Sequence, residues 1–136
     1  MSEYVKQAKD FLASCNAKMT ITRIGLEVNK NWHDKVLRAT YRVTITTPLG
    51  RMWVKFWNSV DHTQKNIAPT EYDILACLQK YDVGTFDDFV SAYGYETEEP
   101  KDLSRAKRIY NGCVKEYESI CRCFTDEQIE QMSEIW

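Results

Sequence analysis

The chain has 136 residues, 43% hydrophobic, 28% charged and 12% aromatic, with a formal net charge of −2. A chain this long buries about two-thirds of its unfolded surface in one domain, so the core needs no metal or disulfide. The near-neutral balance argues against a general nucleic-acid binder, which would normally show a high isoelectric point, and is too small for a whole-protein nucleic-acid mimic.

Residues 2–16 read as an amphipathic helix. Ser2 suits the N-cap and Glu3 the first turn. Tyr4, Val5, Ala8, Phe11, Leu12 and Cys15 share one stripe. A strand follows at about 19–28. Met19 and Ile21 lie on one face and Ile24, Leu26 and Val28 on the other, a phase change that calls for a bulge near Arg23 or a strand end at Gly25. The polar stretch NKNWHDK, 29–35, is turn-like around Trp32.

Residues 39–60 read as a β-hairpin. Tyr41, Val43 and Ile45 alternate with Thr40, Arg42, Thr44 and Thr46. Beyond the turn Thr47-Pro48-Leu49-Gly50, Met52, Val54 and Phe56 alternate with Trp53, Lys55 and Trp57. Pairing Thr46 with Arg51 gathers all the apolar residues on one face, whereas a slip of one residue splits them, so burial selects the first register. That register sets Arg42 against Lys55, a like-charge pair that something must offset: an acid from another element, a bound anion or water. Tryptophans between cations suit base stacking or a protein hot spot, unless a spare helix covers this face and makes them core.

Residues 58–69 form a 12-residue connection, a length at which loops are often functional. Four helices follow. Thr70, with Asp73, starts one that runs through Ile74, Cys77, Leu78 and Tyr81 to Gly84. Thr85, with Asp88, starts another through Phe86, Phe89, Val90 and Tyr93 to Gly94. Asp102 caps the longest, about 103–123, whose stripe is Leu103, Ala106, Tyr110, Cys113, Tyr117, Ile120 and Phe124. Its outer face holds Arg105, Lys107, Arg108, Lys115 and Arg122, diluted by Glu116 and Glu118 into a solvated surface with room for phosphate or acidic-partner contacts. Thr125 and Gln128 make a capping box for the last helix, with Ile129, Met132 and Ile135 inward.

The reading is one α+β domain over 1–136: an N-terminal helix and a three-stranded antiparallel meander within 1–60, then four helices over 69–136 packed on the sheet. The five cysteines include no CxxC. Four sit at apolar helical positions, with Cys123 the exception, so mostly buried, reduced thiols in a cytoplasmic protein are expected. Residues 1–17 mix charges with apolar positions and do not read as a signal peptide. No stretch reaches 18 apolar residues.

Catalytic signals are weak. His33 and His62 are loop histidines beside Asp34 and Asp61, neighbours in sequence that do not point at each other. Cys121 and Cys123 lie about 200° apart on a helix and cannot chelate together. Two histidines and two aspartates without ligand spacing specify no metal. The glycines are isolated, so no phosphate-cradling loop exists. The paired acids fall at helix starts and in the 95–101 link, where dipoles and solvent account for them. No cofactor is expected.

The stretches TFDDFVSAYGYET, SRAKRIYNGCVKEYESI and RCFTDEQIEQMSEI, preceded by KMTITRIG, YRVTITTPLG and PTEYDILACLQKYD, resemble a widespread group of small uncharacterised proteins. Phages, prophages and conjugative elements of gut bacteria encode them. The shared features are caps, stripes and a turn, so no functional residue carries over. The resemblance implies a mobile-element accessory protein in a bacterial cytoplasm, a class that includes anti-CRISPR inhibitors of host defence. The functional expectation is therefore a non-enzymatic protein that binds and inhibits a bacterial defence complex, a host protein or ribonucleoprotein. Arg42, Trp53, Lys55 and Trp57 are its contacts, with Trp32 and the 58–69 loop beside them. The alternative is a nucleic-acid-binding accessory protein using the same face.

Overall fold

A computed structural model of the chain describes residues 2–29, 35–59 and 68–135. The elements run α1 (Glu3–Ser14), β1 (Lys18–Asn29), β2 (Lys35–Thr47), β3 (Gly50–Ser59), α2 (Glu71–Cys77), α3 (Phe86–Tyr93), α4 (Pro100–Cys123) and α5 (Asp126–Met132). The strands form one antiparallel sheet in the order β1-β2-β3. The fold is α+β: a helix, a meander and four further helices.

The hairpin adopts the register that burial selects. Thr46 pairs with Arg51, Ile45 with Met52, Val43 with Val54 and Tyr41 with Phe56. On β1, Met19 faces Ile45 and Ile21 faces Val43. The change of phase is a bulge between Arg23 and Gly25, with a second irregularity between Glu27 and Val28. The first bulge returns Leu26 to the face of Met19 and Ile21, opposite Ala39, instead of leaving it on the other side. The strands extend through Asn29 and from Lys35, so both ends of the stretch expected to be turn-like belong to strands, and 30–34 lie outside the described residues.

The hairpin tip is tied to the end of α4. The Thr47 hydroxyl donates to the Cys123 carbonyl oxygen at 2.6 Å and accepts from the backbone N–H groups of Leu49 and Gly50. A Cβ on Gly50 would lie 3.4 Å from the Arg122 carbonyl oxygen, an ordinary contact distance, so the tip packs against the end of α4 with neither an overlap nor a left-handed backbone that demands glycine. Cys123 is consequently buried, contrary to its expected exception, while Cys77 and Cys121 are exposed. The expectation of mostly buried thiols holds only for Cys15 and Cys123; all five are free.

Capping chemistry sets most helix starts. Ser2 accepts from the Val5 N–H, and Thr70, Thr85 and Thr125 each close a full capping box. Two helix ends differ from expectation. α2 stops at Cys77 because Leu78 turns extended. The next N–H, from Gln79, goes to Glu116 on α4 at 2.6 Å, and Lys80 reaches the Ile135 carbonyl oxygen at 3.1 Å. Tyr81, expected in the α2 stripe, is exposed. α4 begins earlier than expected, with Glu99 at the cap and Pro100 at the first position. Asp102 lies inside the first turn, where its charge favours the dipole.

The core joins Ala8, Phe11 and Leu12 of α1 to Val43, Ile45 and Met52 of the sheet. Ile74 and Leu75 of α2, Ile120 and Phe124 at the end of α4, and Met132 of α5 complete it. α3 packs mainly on the first half of α4 through a second cluster, in which Phe89 meets Tyr93, Tyr95 and Tyr110. No helix among the described residues is long and apolar enough to cross a membrane.

Candidate functional site: the open face of the sheet

The helices that share a core with the sheet meet its inner face, while α3 packs mainly on α4. Among the described residues the other face of β2 and β3 is uncovered. Trp53 is 61% exposed and Trp57 56%, and Arg42 and Lys55 are exposed between them. Alternation dictates this: the residues facing away from Val43, Ile45 and Met52 must point outward together.

Register then determines the geometry. Arg42 sits opposite Lys55, and Thr44 opposite Trp53. The guanidinium of Arg42 leans along the diagonal onto the Trp53 indole, 5.3 Å from the ring centroid. Arg38 leans along the same diagonal onto Trp57, at 5.2 Å. The Arg42–Trp53 contact is a favourable interaction, about 0.5–1 kcal/mol at an exposed site, that sets against the like-charge pairing of Arg42 with Lys55. Each pair holds one exposed indole in a fixed pose. Arg38 also meets Glu27 on β1, at 3.2 Å from Nη2 to the carboxylate, an exposed ion pair worth less than about 1 kcal/mol.

Sequence reasoning missed part of this face. Lys18, Arg38 and Arg51 lie on it by register, with Lys18 opposite Thr46, Arg51 also opposite Thr46 and Arg38 opposite Glu27. Extending the alternation upstream of Ala39 would have found Arg38. It stands four residues before Arg42, as Trp53 stands four before Trp57. Among the described residues this surface carries five cations and one carboxylate, in a chain whose net charge is −2. A recess of 410 Å³ opens at its turn end, bordered by Arg42, Thr44, Arg51, Met52 and Trp53.

Of the other expected contributors, Trp32 and positions 60–67 of the connection lie outside the described residues, as do His33 and His62, expected as loop histidines and not as part of this face. Elsewhere, a cavity of 690 Å³ opens between the 80–81 segment, Tyr117 and α5. Lys80 at its wall is held by the Ile135 carbonyl, and burial lowers its pKa. Burial raises the thiol pKa of Cys15, Cys113 and Cys123, and partial desolvation together with the nearby Asp73 carboxylate raises that of the more exposed Cys77, which disfavours the nucleophilic thiolate in all four. Among the described residues no group of three or more His, Cys, Asp or Glu is placed to hold a metal.

The arrangement is suited to binding. Two fixed flat rings and a ring of cations match a partner that is anionic and offers planar or apolar groups to stack. Comparison of the chain with protein-family models, curated protein sequences and solved structures finds no match.

Proposed function

We propose that this chain is a non-enzymatic accessory protein of a phage or other mobile element. It acts in the bacterial cytoplasm by occupying the surface of a host defence complex, in the manner of an anti-CRISPR protein. The contact surface is the open sheet face, with Trp53 and Trp57 as anchors and Arg42 and Lys55 as the charges around them. One observation carries the choice of surface: two large indoles are exposed together, each pinned by an arginine, on the side of the sheet away from the core. An exposed tryptophan pair with arginines is the composition of an interface hot spot. The target class rests on the sequence resemblance to mobile-element proteins.

The test is capture from a bacterial lysate followed by a plasmid-interference assay in cells carrying the captured system. Wild-type chain retains a stoichiometric host complex and relieves interference. The Trp53→Ala/Trp57→Ala double variant folds but does neither. Capture of nothing by the wild type, with interference unrelieved, overturns the proposal.

A second reading has its own observation. Trp53 and Trp57 are four residues apart on one strand, about 13 Å along it, with cations and threonines between and beside them. That is a stacking platform for a single-stranded nucleic acid. Quenching of tryptophan fluorescence by an oligothymidylate, lost in Trp53→Ala and weakened steeply by salt, would favour it over the protein partner.

A further inference from the structure

The long helix α4 carries a second cationic surface, independent of the sheet. Its inward stripe is Leu103, Ala106, Tyr110, Cys113, Tyr117, Ile120 and Phe124. Two residues further on, about 160° from that stripe around the axis, runs another with the same repeat: Lys101, Arg105, Arg108, Gly112, Lys115, Ser119 and Arg122. All five of its cations are exposed. No acid falls in it. Glu116, which in sequence dilutes the outer face, is instead turned toward the α2–α3 segment and accepts the Gln79 N–H at 2.6 Å. Burial raises its pKa, consistent with a carboxylate withdrawn from solvent. Lys107 and Glu118 fall on a flanking line. The first turns of the stripe border a recess of 540 Å³ with Pro100, Lys101, Ser104, Arg105 and Arg108 on its wall.

Two further features point outward. A Cβ on Gly112 would meet nothing within 4 Å, so nothing in the packing around this helix asks for a glycine there. It leaves a low point in the middle of the stripe where another backbone can approach the helix. Arg122 is steadied by a hydrogen bond from its guanidinium to Ser119 Oγ at 3.0 Å.

We propose that this stripe binds the sugar-phosphate backbone of double-stranded nucleic acid. From Lys101 to Arg122 it spans about 32 Å at 1.5 Å per residue, close to the length of one turn of duplex. Its charges recur at helical spacing along one line of the helix. It offers no aromatic or aliphatic anchor, so it lacks what a protein hot spot needs and what stacking on unpaired bases needs. Its helix has already spent its apolar face on the core, so it cannot lie in a membrane interface. Charges without anchors are the pattern of phosphate contacts, which position a protein on a duplex without reading sequence. The acids of the chain, concentrated in the 82–102 region, keep the net charge negative, so binding is weak and confined to low salt. This inference goes beyond the sheet-face reading and does not rest on it.

Fluorescence anisotropy with a labelled 20-base-pair duplex of random sequence, between 25 and 200 mM salt, tests it. If all five cations engage, log K falls against log salt with a slope of about −4.5, or roughly 500-fold between 50 and 200 mM. The Arg105→Gln/Arg108→Gln/Lys115→Gln variant, with its circular dichroism unchanged, reduces the slope to about −2. Gly112→Glu, which places a carboxylate at the low point, weakens binding at least tenfold. Trp53→Ala/Trp57→Ala and Arg42→Gln/Lys55→Gln leave the slope unchanged, which separates this stripe from the sheet face. No duplex binding at 25 mM salt, tighter binding of single strands than of duplex by the Trp53→Ala/Trp57→Ala variant, or a slope lost with Arg42 and Lys55 but not with the helix cations would each overturn it.

Discussion

The two faces of the β2–β3 hairpin are built from the same strands and are comparably rich in large side chains, yet they do opposite things. Inward, Tyr41, Val43, Ile45 and Met52 are at most 3% exposed, and Val43, Ile45 and Met52 meet α1, α4 and α5 in one core. Outward, Trp53 and Trp57 are more than half exposed, and each lies against an arginine. Hydrophobic content does not separate the two faces, since tryptophan is as large an apolar group as any in the core. The separation comes from which face the helices cover. The same contrast recurs on α4, where one stripe holds Ile120 and Phe124 in the core and the opposite stripe holds only cations and small residues. A large apolar group left uncovered beside fixed charges is a surface available to a partner.

If the inner face carries the stability, the largest losses should come from there. Ile45→Ala, at a fully buried site in the middle of the sheet, should cost about 2–5 kcal/mol in urea unfolding. A loss below about 1 kcal/mol would mean that the inner face is not the core. Thr47→Val is more pointed, because it keeps the shape and removes one hydroxyl. The buried Cys123 carbonyl oxygen loses its donor, and the Leu49 and Gly50 N–H groups lose their acceptor. The expected cost is about 1–3 kcal/mol. An unchanged unfolding midpoint would show that the hairpin tip is not fastened to α4.

The hairpin register and the capping boxes were legible because both follow from neighbours in sequence. Period-two alternation has only two phases, and one of them splits Val43 from Val54. A Thr followed by an acid or Gln at the third position names its own partners, as at Thr70, Thr85 and Thr125. What was illegible depended on distant contacts. α2 ends at Cys77 because Gln79 and Lys80 find partners 37 and 55 residues away, and Gly84, which marks a stop in sequence, has its carbonyl hydrogen-bonded by Tyr110. Cys123 is buried because the hairpin tip sits on it. Whether spare helices would cover the tryptophans was equally open, since the pattern of β3 reads the same in both cases. For the helix cations, the sequence shows Glu116 among them, and only the Gln79 contact removes it.

On the outer face the order of effects should reverse. Trp53→Ala and Trp57→Ala should each cost no more than about 1 kcal/mol, the scale of an exposed cation–π contact, while removing partner capture. A loss of several kcal/mol for either would place that indole in the core and erase the difference between the faces.

The smallest effect concerns Glu116, at the border between the buried and exposed sides of α4. Burial pushes its pKa above the ordinary value of 4.5, and the hydrogen bond from the Gln79 N–H pulls it partly back. A raised pKa means that the folded chain keeps this proton where the unfolded chain has lost it. The contribution of Glu116 is therefore most favourable below about pH 4.5 and declines as pH rises through the raised value. Glu116→Gln keeps an oxygen to accept from Gln79 and removes the charge. Its melting temperature should gain on that of the wild type between pH 4.5 and 7, by a few degrees at most. A difference that stays constant across that range would mean that Glu116 is solvated, and would return it to the outer face among the helix cations.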